Sequence, residues 1–396
     1  MKIQVLSTFL VLLVFSCQTK DNQSENSTNE LPSYKLEIVD SVTVKDILAK
    51  VFLFQTADED HLIFKDAMAA EIYVFDRAGN PINKWKKSGD VPGSFSNLNR
   101  NLTKDKTGNL VIVDIINGLK IFTDNGDIVQ NFGIYKTQMS FGGPVTIFKS
   151  QQIIEKDGKE YLLYSLDVIE DLNEEFGADF FQNRKNLLLT DLETEETEIF
   201  LPFPKDSQFL NGKVFLFEDF RPVFSYDEKS QVLYLAFQNE PILYTYDWSG
   251  SEPVLKEKTK LDLKGFVAGN GFEKGMVSFP QISNNKINPF PSQIISMEKY
   301  GDDVLISYKP TPTDKSDLSL IMKGEATKEI YWKLYEETKM KTVVMTPDGV
   351  IIPLEMPAMV SDSFKVISED IWWMKKHTGE EEQEDFTVYR GRLVKE

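Results

Sequence analysis

The sequence contains few of the side chains from which most sites for transition metals are built. Among its 396 residues there are two histidines, His61 and His377, and one cysteine, Cys17. Neither a three-histidine nor a four-cysteine zinc site can therefore be assembled within one chain. A serine-histidine-aspartate triad would have only two candidate bases. We expect no metal and no cofactor, and no residue stands out as catalytic.

Positive charge is also scarce. The chain has 44 Lys and Arg residues against 62 Asp and Glu residues, a formal net charge of −18, and only six of its residues are arginine. A surface this negative repels the phosphate backbone of nucleic acids and anionic lipid headgroups. Nucleic acid is therefore not an expected partner.

An apolar run opens the chain but is too short to cross a bilayer. Residues 5–15 are apolar apart from Ser7 and Thr8, they follow a basic start at Lys2, and they lead into Val14-Phe15-Ser16-Cys17. This pattern is typical of a secretory signal. The last four residues resemble a relaxed bacterial lipobox, which implies that residues 1–16 are removed and that Cys17 is lipidated. The alternative is an ordinary signal peptide with an incidental cysteine, but a free thiol would be a liability in an oxidising compartment.

The segment after the signal is polar. Residues 18–32 (QTKDNQSENSTNELP) contain no aromatic side chain and cannot bury enough surface to offset the entropy of ordering. We predict that residues 17–32 are a lipidated tether and that residues 33–396 form one domain. The expected partner of the anchor is the membrane, and the expected location is the bacterial cell envelope, as an outer-membrane lipoprotein that faces the periplasm or the exterior.

From residue 34 onward, short segments rich in β-branched and aromatic residues alternate with turn signals. Three turns have Asp followed three positions later by Gly, which favours a type I turn that closes a hairpin. They begin at Asp76, Asp105 and Asp247, and residues 123–126 and 346–349 are variants. Calcium loops are the alternative, but none of these segments has the full twelve-residue ligand pattern.

The strand pattern repeats about every 40 residues in units of four strands, which is typical of a β-propeller. The fold class expected is therefore all-β, a six-bladed propeller of four-stranded antiparallel blades. The predicted blades span residues 48–90, 100–140, 144–206, 219–263, 290–356 and 361–396. The sixth lacks one strand, and we expect residues 34–39 or the next few to complete it and close the ring. Two packed β-sandwiches are the rival architecture.

One segment carries a family resemblance. Residues 88–95 (SGDVPGSF) resemble the glycine-rich link between blades of NHL-like six-bladed propellers, with Ser94 in place of the usual acidic residue. Together with the lipobox and residues 221–227 (RPVFSYD), the chain is similar over residues 34–396 to the TolB-like propeller lipoproteins of Bacteroidota, a family of unknown function. The resemblance implies the fold and the location and supplies no catalytic residue.

Two arginines are candidates for ligand binding. Arg100 and Arg221 each precede a predicted inner strand, where they could converge on an anionic group at the mouth of the channel. The alternative is that each arginine pairs with a carboxylate or a backbone carbonyl and holds neighbouring blades together.

An acidic, aromatic insertion lies in the third blade. Its members are Glu170, Asp171, Glu174, Glu175, Phe176, Asp179, Phe180 and Phe181. It could be a docking lip for a protein or a sugar. The alternative is a short helix that packs its phenylalanines on the blades.

The function expected is a binding or interaction scaffold, monomeric and anchored to the membrane, for a protein or a glycan-type ligand. The alternative is a propeller hydrolase, lactonase-like or glycosidase-like, that uses channel carboxylates with or without calcium.

Overall fold

The computed structural model describes residues 33–49, 51–87, 89, 91, 93–95, 98, 101–114, 118–133, 150–165, 178–216, 218–273, 290–357, 360–375 and 384–395. The predicted signal peptide (1–16), the tether (17–32) with Cys17, Arg100, His377 and most of the acidic insertion lie outside these residues. The strands within them are β1 (Tyr34–Val44), β2 (Phe52–Ala57), β3 (His61–Asp66), β4 (Glu71–Asp76), β5 (Pro81–Trp85), β6 (Thr103–Lys104), β7 (Leu110–Asp114), β8 (Gly118–Phe122), β9 (Ile128–Asn131), β10 (Gln151–Lys156), β11 (Lys159–Ser165), β12 (Lys185–Asp191), β13 (Thr197–Pro202), β14 (Pro222–Asp227), β15 (Val232–Phe237), β16 (Glu240–Asp247), β17 (Val254–Lys260), β18 (Gln293–Tyr300), β19 (Asp303–Lys309), β20 (Lys341–Met345), β21 (Ile351–Leu354), β22 (Val360–Ile367), β23 (Asp370–Lys375) and β24 (Phe386–Lys395).

These strands form six four-stranded antiparallel sheets, each a blade. Five blades use consecutive strands, from β2–β5 to β18–β21, and the sixth has the order β1-β24-β23-β22. The innermost strand of each blade contacts the innermost strand of the next, and β22 contacts β2. The ring is therefore closed, and the protein is a six-bladed β-propeller, as the repeats predicted.

The two ends of the described chain meet in the sixth blade. Strand β1 pairs antiparallel with β24 along its whole length, from Tyr34 opposite Lys395 to Val44 opposite Phe386, with one irregularity between Ile38 and Asp40. This pairing confirms the predicted closure and covers the strand edge that β24 would otherwise expose.

The core consists of six apolar clusters, one between each pair of neighbouring blades. Successive side chains of a strand point to opposite faces of its sheet, so each blade contributes to two clusters. In β14, for example, Phe224 packs toward the third blade and Val223 toward the fifth. Burial on both faces explains why the strands are mostly apolar without strict alternation.

Antiparallel topology gives the ring two faces. We call "turn face" the face that carries the connections between the first and second and between the third and fourth strands of each blade. The other connections form the "loop face". On the turn face, the N–H of Gly79 donates to the carbonyl of Asp76 at 3.1 Å and that of Gly108 to Asp105 at 3.0 Å, with φ values of 87° and 84°. These are two of the three turns that the Asp-to-Gly spacing predicted; in the third, the Asp247 carboxylate accepts from the Ser249 N–H, and Gly250 does not adopt a positive φ.

The loop face carries the helices. Helix α1 (Ala178–Asn183) lies between β11 and β12, and a 3-10 turn (Gln208–Leu210) precedes β14. Two further helices, α2 (Lys315–Lys323) and α3 (Lys328–Glu337), lie between β19 and β20. No helix of the described ranges is long and apolar enough to cross a membrane.

Candidate functional site

The channel at the centre of the ring holds a cavity of about 700 Å³, lined by the innermost strands of all six blades. Four lysines and three carboxylates lie among the lining residues, together with amides, hydroxyls and apolar side chains. The volume lies within the range of small-molecule pockets. The channel is thus neither a plugged apolar core nor a ring of carboxylates.

Two charged residues of opposite sign face this cavity from neighbouring strands. Glu298 lies on β18 and Lys365 on β22. Burial raises the pKa of Glu298, and the charge of Lys365 opposes that rise. Burial likewise lowers the pKa of Lys365, which the charge of Glu298 opposes. Each charge therefore stabilises the other through the interior of the channel.

Two glutamine side chains of the channel join neighbouring blades by hydrogen bonds, and a third has no hydrogen-bond partner. Gln55 accepts a hydrogen bond from the Leu102 N–H at 3.0 Å and so joins the first two blades. Gln152 joins the third and fourth blades, because it donates to the Tyr226 carbonyl at 2.8 Å and accepts from the Tyr226 N–H at 2.9 Å. Gln151 differs, since both polar atoms of its buried amide lack a hydrogen-bond partner.

The other two carboxylates of the cavity are engaged in the structure of the turn face. Asp227 accepts from the Lys229 N–H at 3.1 Å and from the Ser230 hydroxyl at 2.7 Å. Glu228 accepts from the Glu155 N–H at 2.9 Å. These bonds hold a turn and join two blades, so neither carboxylate is positioned like Glu298.

A polar cluster on the turn face joins the first and second blades. Asp58, His61 and Asp124 are the one group of potential metal ligands found in the described ranges. However, the Lys104 ammonium donates to Asp58 and, at 2.8 Å, to Asp124, which also lies 2.7 Å from the imidazole Nδ1 of His61. Burial alone would raise the pKa of Asp58, but hydrogen bonds from Lys104 and from backbone N–H groups outweigh it and lower that pKa. The Lys104 ammonium already contacts both carboxylates, so the arrangement fits an ionic link between blades better than a metal site.

Of the two candidate arginines, the structure describes one. Arg221 lies on the loop face just before β14, only 6% exposed, and its carbonyl accepts from the Gln238 N–H at 2.9 Å. It is not among the residues that line the channel cavity. Arg100 lies outside the described residues, so the convergence of the two arginines on a ligand stays a prediction.

Beside Arg221, two buried carboxylates hold the loop-face connections against the fourth blade. Glu240 accepts from the Ser207 hydroxyl at 3.1 Å, the Gln208 N–H at 2.7 Å and the Tyr244 hydroxyl at 3.0 Å. Burial raises its pKa. Asp219 accepts one bond, from the Leu216 N–H at 3.0 Å, and burial raises the pKa of Asp219 to about 7.

The described end of the acidic insertion is helical. Helix α1 buries Phe180 and Phe181 against the core between the third and fourth blades. This part fits the alternative of a short helix that packs its phenylalanines. Glu170, Asp171, Glu174, Glu175 and Phe176 lie outside the described residues.

Exposed aromatic side chains occur in one place only among the described residues. Tyr331, Trp332 and Tyr335 all lie on α3, with Trp332 51% exposed. The rings of Trp332 and Tyr335 are nearly perpendicular, with centroids 5.5 Å apart. Met322 on α2 is also exposed. We call these four residues the aromatic knob.

Local interactions fix the helix pair that carries the knob. Asp314 caps α2 by accepting from the N–H of Ser316, and Gly324 ends it with a φ of 73°. Thr327 caps α3, whose Leu334 is fully buried. Lys333 binds Asp317 at 2.7 Å and so joins the two helices.

This helix pair was not predicted from the sequence, because strand repeats dominate the pattern around it. Signals for it were present, since cap residues at 314 and 327, a C-terminal glycine at 324 and apolar residues at helical spacing from 330 to 335 are typical of helices. Glu298 and Lys365 gave no comparable signal, because each is one charged residue in an otherwise ordinary strand.

Comparison with solved structures gives the same fold. A member of the DUF4221 family from Bacteroides vulgatus has a TM-score of 0.64 at 12% sequence identity, covering 92% of this chain and 99% of that one. A protein from Bacteroides fragilis, named as a candidate exported protein, has a TM-score of 0.51 at 10% identity, with 92% and 95% covered. No family model and no curated protein matches the sequence. At these identities the likeness extends to the fold alone.

Proposed function

We propose that this protein is a lipoprotein of the bacterial cell envelope whose propeller is a binding scaffold for another protein, with the aromatic knob as the docking element. The confinement of all exposed aromatic side chains of the described residues to α3 carries this proposal. Exposed aromatic clusters mark interaction sites, and Trp and Tyr are the residues that most often dominate binding energy.

The shape of the knob favours a protein over a glycan. Tyr331, Trp332 and Tyr335 project from one side of a helix, and Trp332 meets Tyr335 at an interplanar angle of 87°. A helix that exposes such side chains on one side and buries Leu334 on the other fits a groove on a partner protein. A sugar ring would stack best on a flat, open aromatic face, which a perpendicular pair presents poorly.

Charge also favours docking at this place. Residues 314–339 contain five lysines and six acidic residues, a net charge of −1, whereas the whole chain carries −18. An acidic partner would be repelled by most of the surface and least by the helix pair. Because the helix pair itself is almost neutral, it offers little attraction to a basic patch. The partner is therefore expected to present an apolar groove.

Envelope location rests on the sequence of the first 32 residues. The lipobox-like segment ending at Cys17 supports lipidation, and the Bacteroides fragilis neighbour is itself named as a candidate exported protein. Two or three acyl chains, at about 0.8 kcal/mol per buried methylene, are sufficient for stable anchoring.

The arrangement of the channel favours binding over hydrolysis. Glycosidases use two carboxyl groups about 5 to 9.5 Å apart. In the described channel the charged group that acts on Glu298 is Lys365 rather than a second carboxylate. Asp227 accepts hydrogen bonds within its own turn, and Glu228 accepts one from the third blade. No second function is therefore proposed.

The docking proposal is tested by site-specific photo-crosslinking in the native cells. A photoreactive residue replaces Trp332 and, as the control, exposed Glu252 on the turn face. We expect a discrete protein adduct from position 332 that position 252 does not give. Equal crosslinking from both positions, or none from 332, would contradict docking at the knob. Binding to a glycan array that is lost in Trp332→Ala would instead support the glycan alternative.

The anchor is tested separately. Cys17→Ala is expected to abolish labelling by a fatty-acid analogue and to move the protein to the soluble fraction, with unchanged folding of the propeller. Persistent labelling of the variant would refute lipidation at Cys17.

A further inference from the structure

Glu298 and Lys365 face the channel cavity without a direct partner. Both line the cavity, yet neither side chain forms a hydrogen bond or an ion pair within 4.0 Å with another residue in the part of the chain that the structure describes. Ionised groups that are withdrawn from bulk water are costly unless they are paired. The two charged groups therefore face one cavity more than 4.0 Å apart, and a ligand that bridges them would pair both.

The other charged residues of the cavity are already engaged or lie at its end. Lys104 binds Asp58 and Asp124, and the ammonium of Lys299 lies 5.5 Å from the centre of the Tyr234 ring. Lys229 is exposed at the turn face. In the same turn, the Asp227 carboxylate accepts from the Lys229 N–H, and Glu228 accepts from an N–H of the third blade. Glu298 and Lys365 are therefore the charged groups available to a molecule inside the channel.

We propose that the channel binds a small zwitterion, an amino acid or a short peptide, whose ammonium group pairs with Glu298 and whose carboxylate pairs with Lys365. A ligand with one charge would satisfy one of the two residues and leave the other unpaired. A zwitterion satisfies both and adds no net charge to the interior.

Size and the unpaired amide support this ligand class. The cavity of about 700 Å³ exceeds what one amino acid fills and would admit a short peptide. Gln151 lines the same cavity with both polar atoms of its buried amide unpaired. A primary amide offers one acceptor and two donors, which matches the donor and acceptor of a peptide group.

The test is isothermal titration calorimetry on the purified full-length protein. The probes are L-alanine and L-alanyl-L-alanine, which differ in the span between their charges. The matched controls are N-acetyl-L-alanyl-L-alanine, which lacks the ammonium group, and L-alanyl-L-alanine amide, which lacks the carboxylate. We expect at least one zwitterion to bind and each singly charged control to bind about tenfold more weakly or worse, because each loses one charge-assisted contact.

Variants locate the binding. Glu298→Gln and Lys365→Met should each weaken binding of the zwitterion by about tenfold or more, and Lys341→Met, at an exposed lysine of β20 outside the cavity, should leave it unchanged. Thermal melting checks that each variant is folded. If Lys365→Met fails to fold, Lys365→Arg keeps the charge and should bind.

Two results would overturn the proposal. The first is that neither zwitterion binds the folded wild-type protein. The second is that a singly charged control binds as tightly as the zwitterion. Both are independent of docking at the aromatic knob, which Trp332→Ala disrupts without touching the channel.

Discussion

Aspartates on the two faces of the ring occupy opposite electrostatic environments. On the turn face, Asp76 accepts from the side chain and the N–H of Asn80, and these bonds lower the pKa of Asp76. On the loop face, burial raises the pKa of Asp219 to about 7. Asp76 therefore stabilises the fold in its ionised form, whereas Asp219 opposes it when ionised.

This difference shows what each face is built for. The turns are short, and their aspartates accept hydrogen bonds from backbone N–H groups of the same turn, as at Asp76 and Asp105. The loop face keeps buried carboxylates, a helix pair and exposed aromatics that the closure of the ring does not require. Features that are not needed for stability concentrate where function is expected.

Both faces depend on ring closure, so its loss has the largest expected effect. Deleting residues 33–44 removes β1 and exposes the edge of β24 along the sixth blade. We expect loss of the cooperative melting transition or aggregation, measured by circular dichroism and size-exclusion chromatography. Deleting residues 18–31, the predicted tether, is the control and should leave the melting temperature nearly unchanged. If both deletions are tolerated equally, β1 does not close the ring.

The contrast between the two faces becomes measurable as a dependence of stability on pH. The folded-state pKa of Asp219, about 7, lies above the ordinary value of 3.8, so its contribution is fully present below pH 3.8 and is lost as the pH rises through 7. Asp219→Asn imitates the protonated form. At pH 8 this variant should therefore be more stable than the wild type, by up to about 4 kcal/mol, with the gain shrinking toward low pH.

Urea unfolding at several pH values between 5 and 9 measures this effect. Asp76→Asn on the turn face is the matched control, because the pKa of Asp76 is lowered and its contribution is lost only as the pH falls. Parallel stability curves for wild type and Asp219→Asn would show that Asp219 ionises freely in the fold.

Differences within the turn face are smaller. Gly108 and Gly126 share a left-handed backbone, with φ values of 84° and 82°. A Cβ at Gly108 would meet nothing within 4 Å, whereas one at Gly126 would lie 2.7 Å from the Trp85 ring. We expect Gly108→Ala to cost about 1–2 kcal/mol from backbone strain, and Gly126→Ala about 1–3 kcal/mol more from overpacking. Equal free energies of unfolding for the two variants would mean that the Trp85 ring moves aside at little cost.

The smallest effect on stability is expected at the aromatic knob. Trp332→Ala removes a half-exposed side chain and should change the free energy of unfolding by less than about 0.5 kcal/mol. Leu334→Ala on the same helix empties a fully buried position and should cost about 2–5 kcal/mol. Denaturant unfolding of both variants distinguishes the two roles. A large loss for Trp332→Ala would show that Trp332 supports the fold rather than docking.

The architecture was predictable because it repeats. Strand pairs such as those around Asp76 and Asp105 recur with the same turn chemistry, and each repeat adds to the same signal. The closing role of residues 34–44 followed from the strand that the last blade lacked. In contrast, α2 and α3 occur once in the chain, and local cap signals at Asp314 and Thr327 were outweighed by the strands around them.

The period of the repeats, their turns and the closure of the ring could be predicted from the sequence, because these depend on neighbouring residues and on hydrophobic patterning along the chain. Which polar residues meet depends on how the folded ring brings distant strands together. Glu298 and Lys365 are 67 positions apart and come to face one cavity because their strands are neighbours around the channel. Asp219 and Asp76 carry the same side chain, but Asp219 is buried whereas Asp76 accepts hydrogen bonds from Asn80. Burial and the encounter of distant charges are properties of the closed ring, and no local pattern encodes them.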